Sequence, residues 1–231
     1  MELALDTSTA TAGVALSDQG RLLVEATWNV GLDHTRDVMP MVAQVLEKGG
    51  CRAGELGAIV VAVGPGTFSG LRVGVSTAKG LATALSIPLV GVNTMAVEAY
   101  PHAWSVLPLC PVMDAGRGEV ALGYYRGVDG LPVEVEPPIV GSIEEACRRV
   151  NEPTLFCGEY AGMVGGRIHE MLGDRALMPP LGALPRRSSC LAAVGWTRLA
   201  HGQDNDPAAV QPIYVRSPSI TKPKPPRPAR R

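Results

Sequence analysis

Aromatic residues make up only 4% of this sequence, so its core must be filled by Ala, Val, Leu and Ile, which the 46% hydrophobic fraction supplies. The four histidines, His34, His102, His169 and His201, stand far apart, and none forms the His-x-x-x-His or His-Glu-x-x-His pairs of a helical zinc site. The five cysteines are odd in number and include no Cys-x-x-Cys. That excludes a disulfide framework and fits reduced thiols inside a cell. No window approaches the roughly 20 apolar residues that span a bilayer. The opening Met1-Glu2-Leu3-Ala4-Leu5-Asp6 has no basic leader and reads as a first strand. A cytoplasmic location is expected. Charge is scarce too. The formal net charge is −1, and Lys222, Lys224, Arg227, Arg230 and Arg231 all sit in the last stretch, so removing those five leaves the body at −6. Such a body is a poor lone ligand for nucleic acid, whose binding depends on neutralising phosphates.

Glycine, by contrast, is plentiful and concentrated in a telling place. Gly64-Pro65-Gly66-Thr67-Phe68-Ser69-Gly70-Leu71-Arg72-Val73-Gly74 follows the β-branched run Ala58–Val63 and leads into a helical pattern from Leu71 to Leu85. A strand, a glycine turn and a helix present backbone N–H groups where a phosphate can bind. The stretch lacks a P-loop Lys and the Gly-x-Gly-x-x-Gly spacing, and a tight strand-to-helix connection explains it equally.

The chain also resembles itself. Leu3–Asp6 leads through Thr7, Ser8 and Thr9 to Gly13–Leu16, as Pro111–Asp114 leads through Ala115–Gly118 to Val120–Leu122. Each pair is followed by strand-like text (Leu22–Trp28; Pro132–Val140), a helical pattern (Asp37–Lys48; Ile143–Val150) and a further strand (Ala58–Val63; Thr154–Cys157). A second helical pattern, Leu71–Leu85 or Tyr160–Leu172, closes each series. This β-β-β-α-β-α order, repeated at an offset of about 108 residues, predicts a duplicated α/β fold of two mixed sheets flanked by helices. The expected domains are 1–103 and 104–216, with a Pro-rich basic tail over 217–231 that lacks apolar periodicity and is expected to be disordered or extended.

Two early helices carry more apolar surface than one face requires. In the first, Val38, Val42, Val45 and Leu46 form a stripe, and Met39, Met41 and Ala43 extend it; Pro40 fits a first turn capped by Asp37. In the second, Leu71, Val75, Ala78, Ala82 and Leu85 form one face, and Val73, Gly74, Thr77, Gly80, Leu81 and Ala84 another. Apolar surface on two sides means deep burial or a protein partner. Val38, Met41, Val42, Val45, Leu71, Gly74, Val75, Ala78 and Leu81 are the candidate partner contacts. On that reading Gly74→Arg or Val75→Glu should break association and spare the fold. Lone His34 suits a cap or an interface, since metal sites need convergent ligands. The Asp114–Glu119 pair and Arg117 read as a solvated turn.

Taken together, Leu5-Asp6-Thr7-Ser8-Thr9, His34, Gly64–Gly74, Ala78-Lys79-Gly80-Leu81-Ala82, Ile87–Val92 and Pro212–Arg216 resemble the TsaB (YeaZ) family of tRNA threonylcarbamoyladenosine biosynthesis proteins, in the actin-like, Hsp70-like superfamily. The likeness spans about residues 1–217, and the 114–121 turn departs from it. It implies a duplicated actin-like, ribonuclease H-like fold and no cofactor beyond weak nucleotide binding, ATP being handled by a partner. It implies a non-catalytic subunit that binds and stabilises a TsaD-type transferase. The product would be N6-threonylcarbamoyladenosine in tRNAs reading codons that begin with A. A TsaE-type ATPase is the further partner, tRNA is met only through the complex, and the chain alone can pair as a homodimer. Asp6, Thr7, Ser8 and Thr9 fall on the superfamily's phosphate loop, here a vestige. The catalytic paralogue's two metal-binding histidines fall on Thr94 and Glu98, which cannot make that site, so no catalytic or metal residue is assigned. A metallopeptidase-like or sugar-kinase-like enzyme of the same superfamily is the alternative.

Overall fold

The computed structural model describes residues 1–30, 34–180, 186–202 and 206–214. The elements run β1 (Glu2–Asp6), β2 (Thr11–Asp18), β3 (Arg21–Asn29), α1 (His34–Lys48), β4 (Ala58–Gly64), α2 (Phe68–Leu85), β5 (Leu89–Asn93), α3 (Thr94–Ala99), β6 (Leu109–Gly116), β7 (Glu119–Val128), β8 (Leu131–Gly141), α4 (Ile143–Cys147), β9 (Thr154–Cys157), α5 (Ala161–Leu172), β10 (Ala176–Leu177) and α6 (Ser188–Ala200). The first sheet has the order β3-β2-β1-β4-β5 and the second β10-β9-β6-β7-β8. In each, an antiparallel meander is continued by strands parallel to its first strand. This is the duplicated mixed-sheet fold the repeat predicts.

The near-continuous apolar text of β1 and β4 follows from burial on both faces. Leu3, Leu5, Ile59, Val61 and Val63 point into a core with Val38, Val42 and Val45 of α1 and Val75, Ala78 and Ala82 of α2. Ala4, Val60 and Ala62, one residue out of phase, pack on the opposite side against Leu191, Ala192 and Val194 of α6. A Cβ at Gly195 would overlap the Val60 side chain, so only glycine lets α6 lie this close to β4. On the second sheet, Val112, Val120, Leu122 and Phe156 pack against α4 and α5. Its other face, with Leu109, Met113, Ala121 and Tyr125, meets Met95, Ala96 and Ala99 of α3.

The layers therefore run α1/α2, first sheet, α6 with α3, second sheet, α4/α5. The strands of the two sheets fall on either side of the expected boundary, while the helices interleave across it. Helix α3 belongs by sequence to 1–103 yet covers the second sheet, and α6 belongs to 104–216 yet covers the first. Each unit lends the other a helix because each inner sheet face is apolar and needs a cover. Helices α1 and α2 both begin three residues before the expected starts. Asp37 thus lies inside the first turn of α1, and Pro40 in its second, where the residue and the Arg36 whose carbonyl it leaves unpaired are both exposed. Helix α4 ends at Cys147 rather than Val150. The 217–231 tail and the His34 side chain lie outside what is described.

Candidate functional site

The end of β1 carries Asp6, and its carboxylate and the turn that follows are hydrogen-bonded within the protein. Asp6 is buried; its Oδ1 accepts from the Ser8 backbone N–H at 2.9 Å and the Ser8 hydroxyl at 2.6 Å. Thr7 Oγ1 donates to the Gly70 carbonyl at 2.7 Å, and Thr67 N–H donates to the Ser8 carbonyl at 2.7 Å. The glycine-rich turn of β4–α2 thus folds straight onto the Asp6–Thr9 turn. A Cβ at Gly66 would overlap the Ser8 carbonyl, and one at Gly74 would overlap Thr7 Oγ1. Close approach to the Ser8 backbone explains Gly66, and close approach to the Thr7 side chain explains Gly74.

The remaining valences are taken by Arg186, which sequence reasoning missed. Its guanidinium is buried. Nε donates to Asp6 Oδ2 at 2.5 Å, Nη1 to Glu98 Oε1 at 3.0 Å, and Nη2 to Thr9 Oγ1 at 3.0 Å and the Thr11 carbonyl at 3.2 Å. Glu159, between β9 and α5, stands 3.6 Å from Nη1. Burial alone would lower the guanidinium's pKa; Asp6, Glu98 and Glu159 outweigh it and raise it. Burial pushes the Glu98 carboxyl up to about 7, against the pull of Arg186. Thr94, one turn before Glu98, is buried with its Oγ1 unpartnered. Burial likewise raises the Cys157 thiol beside Glu98, and Cys190 to about 11, so neither is a thiolate nucleophile at neutral pH.

Superfamily resemblance implies a nucleotide phosphate and a cation at this turn. The residues do not fit them: Asp6, Ser8 and Thr9 are bonded to protein partners, and a guanidinium stands at the carboxylates. Among the described residues no group of three or more His, Cys, Asp and Glu side chains can hold a metal ion. Asp114 is exposed and accepts from the Gly116 N–H at 2.8 Å, an Asx turn that closes the β6–β7 hairpin.

The expected partner contacts divide in two. Val38, Val42, Val45, Leu71, Gly74, Val75 and Ala78 are buried within the chain and are core residues, not a docking face. This corrects their assignment: the stripe that looked surplus is the one that covers the first sheet. Only Met41 and Leu81 are half-buried. The apolar and small residues left exposed on these helices are Met39 (48% exposed), Pro40, Ala43, Phe68 (38%), Gly80 and Ala84, flanked by half-buried Val73 and Thr77, and beside them Thr35, Arg36, Gln44, Glu47, Lys48, Ser69, Arg72, Ser76 and Thr83 are exposed as well. Arg72 lies over the Phe68 ring at 4.3 Å, and Phe68 packs on Tyr214 with ring centroids 5.1 Å apart. Lys79 donates to the Ala208 carbonyl at 3.4 Å.

Comparison with known proteins agrees with this fold. The family profile "TsaD: tRNA N6-adenosine threonylcarbamoyltransferase" matches residues 29–146, half of the chain. The tRNA threonylcarbamoyladenosine biosynthesis protein TsaB of Bacillus subtilis is 31% identical over 217 residues, covering 93% of each chain. The chain belongs to the TsaB family. A TsaB-family role in tRNA threonylcarbamoyladenosine biosynthesis follows. A solved Pseudomonas aeruginosa protein, described as similar to peptidase YEAZ, superposes with a TM-score of 0.77 at 27% identity over 93% of this chain and 99% of that one. Ethanolamine utilization protein EutJ from Carboxydothermus hydrogenoformans has a TM-score of 0.53 at 15% identity, covering 84% of this chain and 89% of that one. That likeness shows the actin-like fold alone. Among the described residues no helix is long and apolar enough to cross a membrane.

Proposed function

We propose that this TsaB-family chain is a non-catalytic partner subunit that docks a TsaD-type transferase through the outer surface of α1 and α2. The observation that carries the proposal is the apolar and small surface left on those helices after the core is satisfied: Met39, Ala43, Phe68, Gly80 and Ala84, with Met41, Val73 and Leu81 at its margin. Apolar side chains left exposed on two neighbouring helices are what a protein interface would use. The self-bonded Asp6–Thr9 turn supports the absence of chemistry at the vestigial phosphate loop. The transferase would carry the metal and the reaction, a TsaE-type ATPase would handle ATP, and tRNA would meet this subunit only inside the complex, in the cytoplasm. Without the transferase, the same face would pair two copies.

Gly80→Arg tests this directly. A Cβ at Gly80 meets nothing within 4 Å, so the side chain enters open space, and arginine is the better helix former. The variant should keep its Tm and lose at least about tenfold in affinity for a co-expressed TsaD-type transferase, as an interface core position does. Met39→Asp should behave alike. Undiminished binding by both would move the interface elsewhere.

A further inference from the structure

We infer that Arg186 is the resident cation of this cleft: a side chain sent back from beyond the second unit fills the space at the end of β1 and clamps the two units together. The inference does not depend on the partner role and goes beyond it.

Three carboxylates from three separate elements converge on one guanidinium. Asp6 ends the first strand of the first unit, Glu98 lies on the shared helix α3, and Glu159 opens the second unit's last helix-bearing segment. Arg186 itself stands just before α6, the helix that returns to cover the first sheet. Its planar fork of donors suits this arrangement, and a lysine's single ammonium would not reach so many acceptors. The cluster differs in kind from the other ion pairs described. Arg52–Glu55 and Arg126–Glu152 join exposed side chains, whereas Arg186, Asp6 and Glu98 are almost wholly buried. A buried charge left unpaired is strongly unfavourable, so each of the three requires the others. The groups that face Glu98 from the packed elements are Arg186, Glu159, Asp6 and the Cys157 and Cys190 thiols. Arg186 is the cation among them. The superfamily resemblance would put a cation and phosphates at the Asp6 turn. Here the guanidinium and the two threonine contacts take those valences, and the cleft is closed from within.

The test is chemical rescue in the full chain. Arg186→Ala should lower Tm by about 10 °C and speed amide exchange in residues 94–99 and 157–161 at least about tenfold. Guanidinium chloride, far below its denaturing concentration, should recover at least half of the lost Tm; NaCl at equal ionic strength and urea should recover none. Arg186→Lys should recover less than guanidinium does. If Arg186→Ala is recovered only as unfolded protein, Glu159→Gln serves instead, because it trims the half-exposed arm alone. It should speed exchange at 157–161 several-fold and leave residues 58–63 unchanged. A wild-type Tm and exchange pattern in Arg186→Ala, rescue by NaCl equal to rescue by guanidinium, or unchanged exchange in Glu159→Gln would each overturn the inference.

Discussion

The two units share one strand order and differ in how they are covered. The first carries long helices, α1 of 15 residues and α2 of 18, over a sheet whose β1 and β4 are buried on both faces. The second carries α4 of five residues and α5 of 12, and its edge strand β8 exposes Val133, Glu134, Val135, Glu136, Pro137 and Pro138. Two prolines and two glutamates blunt that edge against pairing with another strand. Duplication preserved the sheet and let the covers drift. The long helices stayed with the first unit, whereas the most exposed large apolar side chains among the described residues, Trp104, Val106 and Met163, lie in the second.

Four experiments break or sharpen that contrast, taken from the largest effect to the smallest. Gly74→Arg drives a side chain into Thr7 and should yield little soluble folded protein, whereas Gly80→Arg, six residues along the same helix, should express normally; equal solubility of the two would refute the division of α2 into core and outer faces. Leu71→Ala in α2 and Ile168→Ala in α5, both fully buried, should each cost about 2–5 kcal/mol in urea unfolding. Because α3 and α6 interleave the units, each variant should shift one shared transition, and two separate transitions would show units that fold alone. The Glu98 carboxyl, held at about 7 by burial against an ordinary 4.5, binds its proton more tightly in the folded state. Its contribution to stability is therefore present below pH 4.5 and is lost as pH rises towards 7. The wild-type slope should reach at most about 1.4 kcal/mol per pH unit. Glu98→Gln should flatten the difference curve between pH 5 and 7, and an unchanged slope would assign the effect to another group. Last, Arg126→Ala in the second unit should cost less than about 1 kcal/mol, since its pair with Glu152 is half-exposed; a larger loss would mean that β7 depends on that surface pair.

Much of this fold was legible in the sequence because its signals are local and repeated. The β-branched run Ala58–Val63 and the Asp-led turns at Asp6 and Asp114 state their structure within a few residues. The Asp6–Thr9 turn also behaves as its hydroxyls suggest, closing on itself through Ser8. The helix swap was not legible, since periodicity shows that α3 and α6 have apolar faces but not which sheet receives them. For the same reason the α2 stripe Leu71, Gly74, Val75 and Ala78 looked available when it is the innermost face. Arg186 gave the weakest signal of all. An Arg-Arg pair ahead of a helix reads as solvated, and only the convergence of Asp6, Glu98 and Glu159, 180, 88 and 27 positions away, makes one of the two internal. Arg187, its neighbour, is exposed.

The exchange of α3 and α6 has a consequence for anyone dissecting this molecule. A piece ending at residue 103 would display one naked sheet side and a helix evolved to lie on someone else's strands. Its complement would be in the mirror predicament. Neither half should survive by itself, but expressed together the severed pieces ought to find each other, which makes the loop around residue 105 a natural place to split the protein into a two-part reporter of its own assembly.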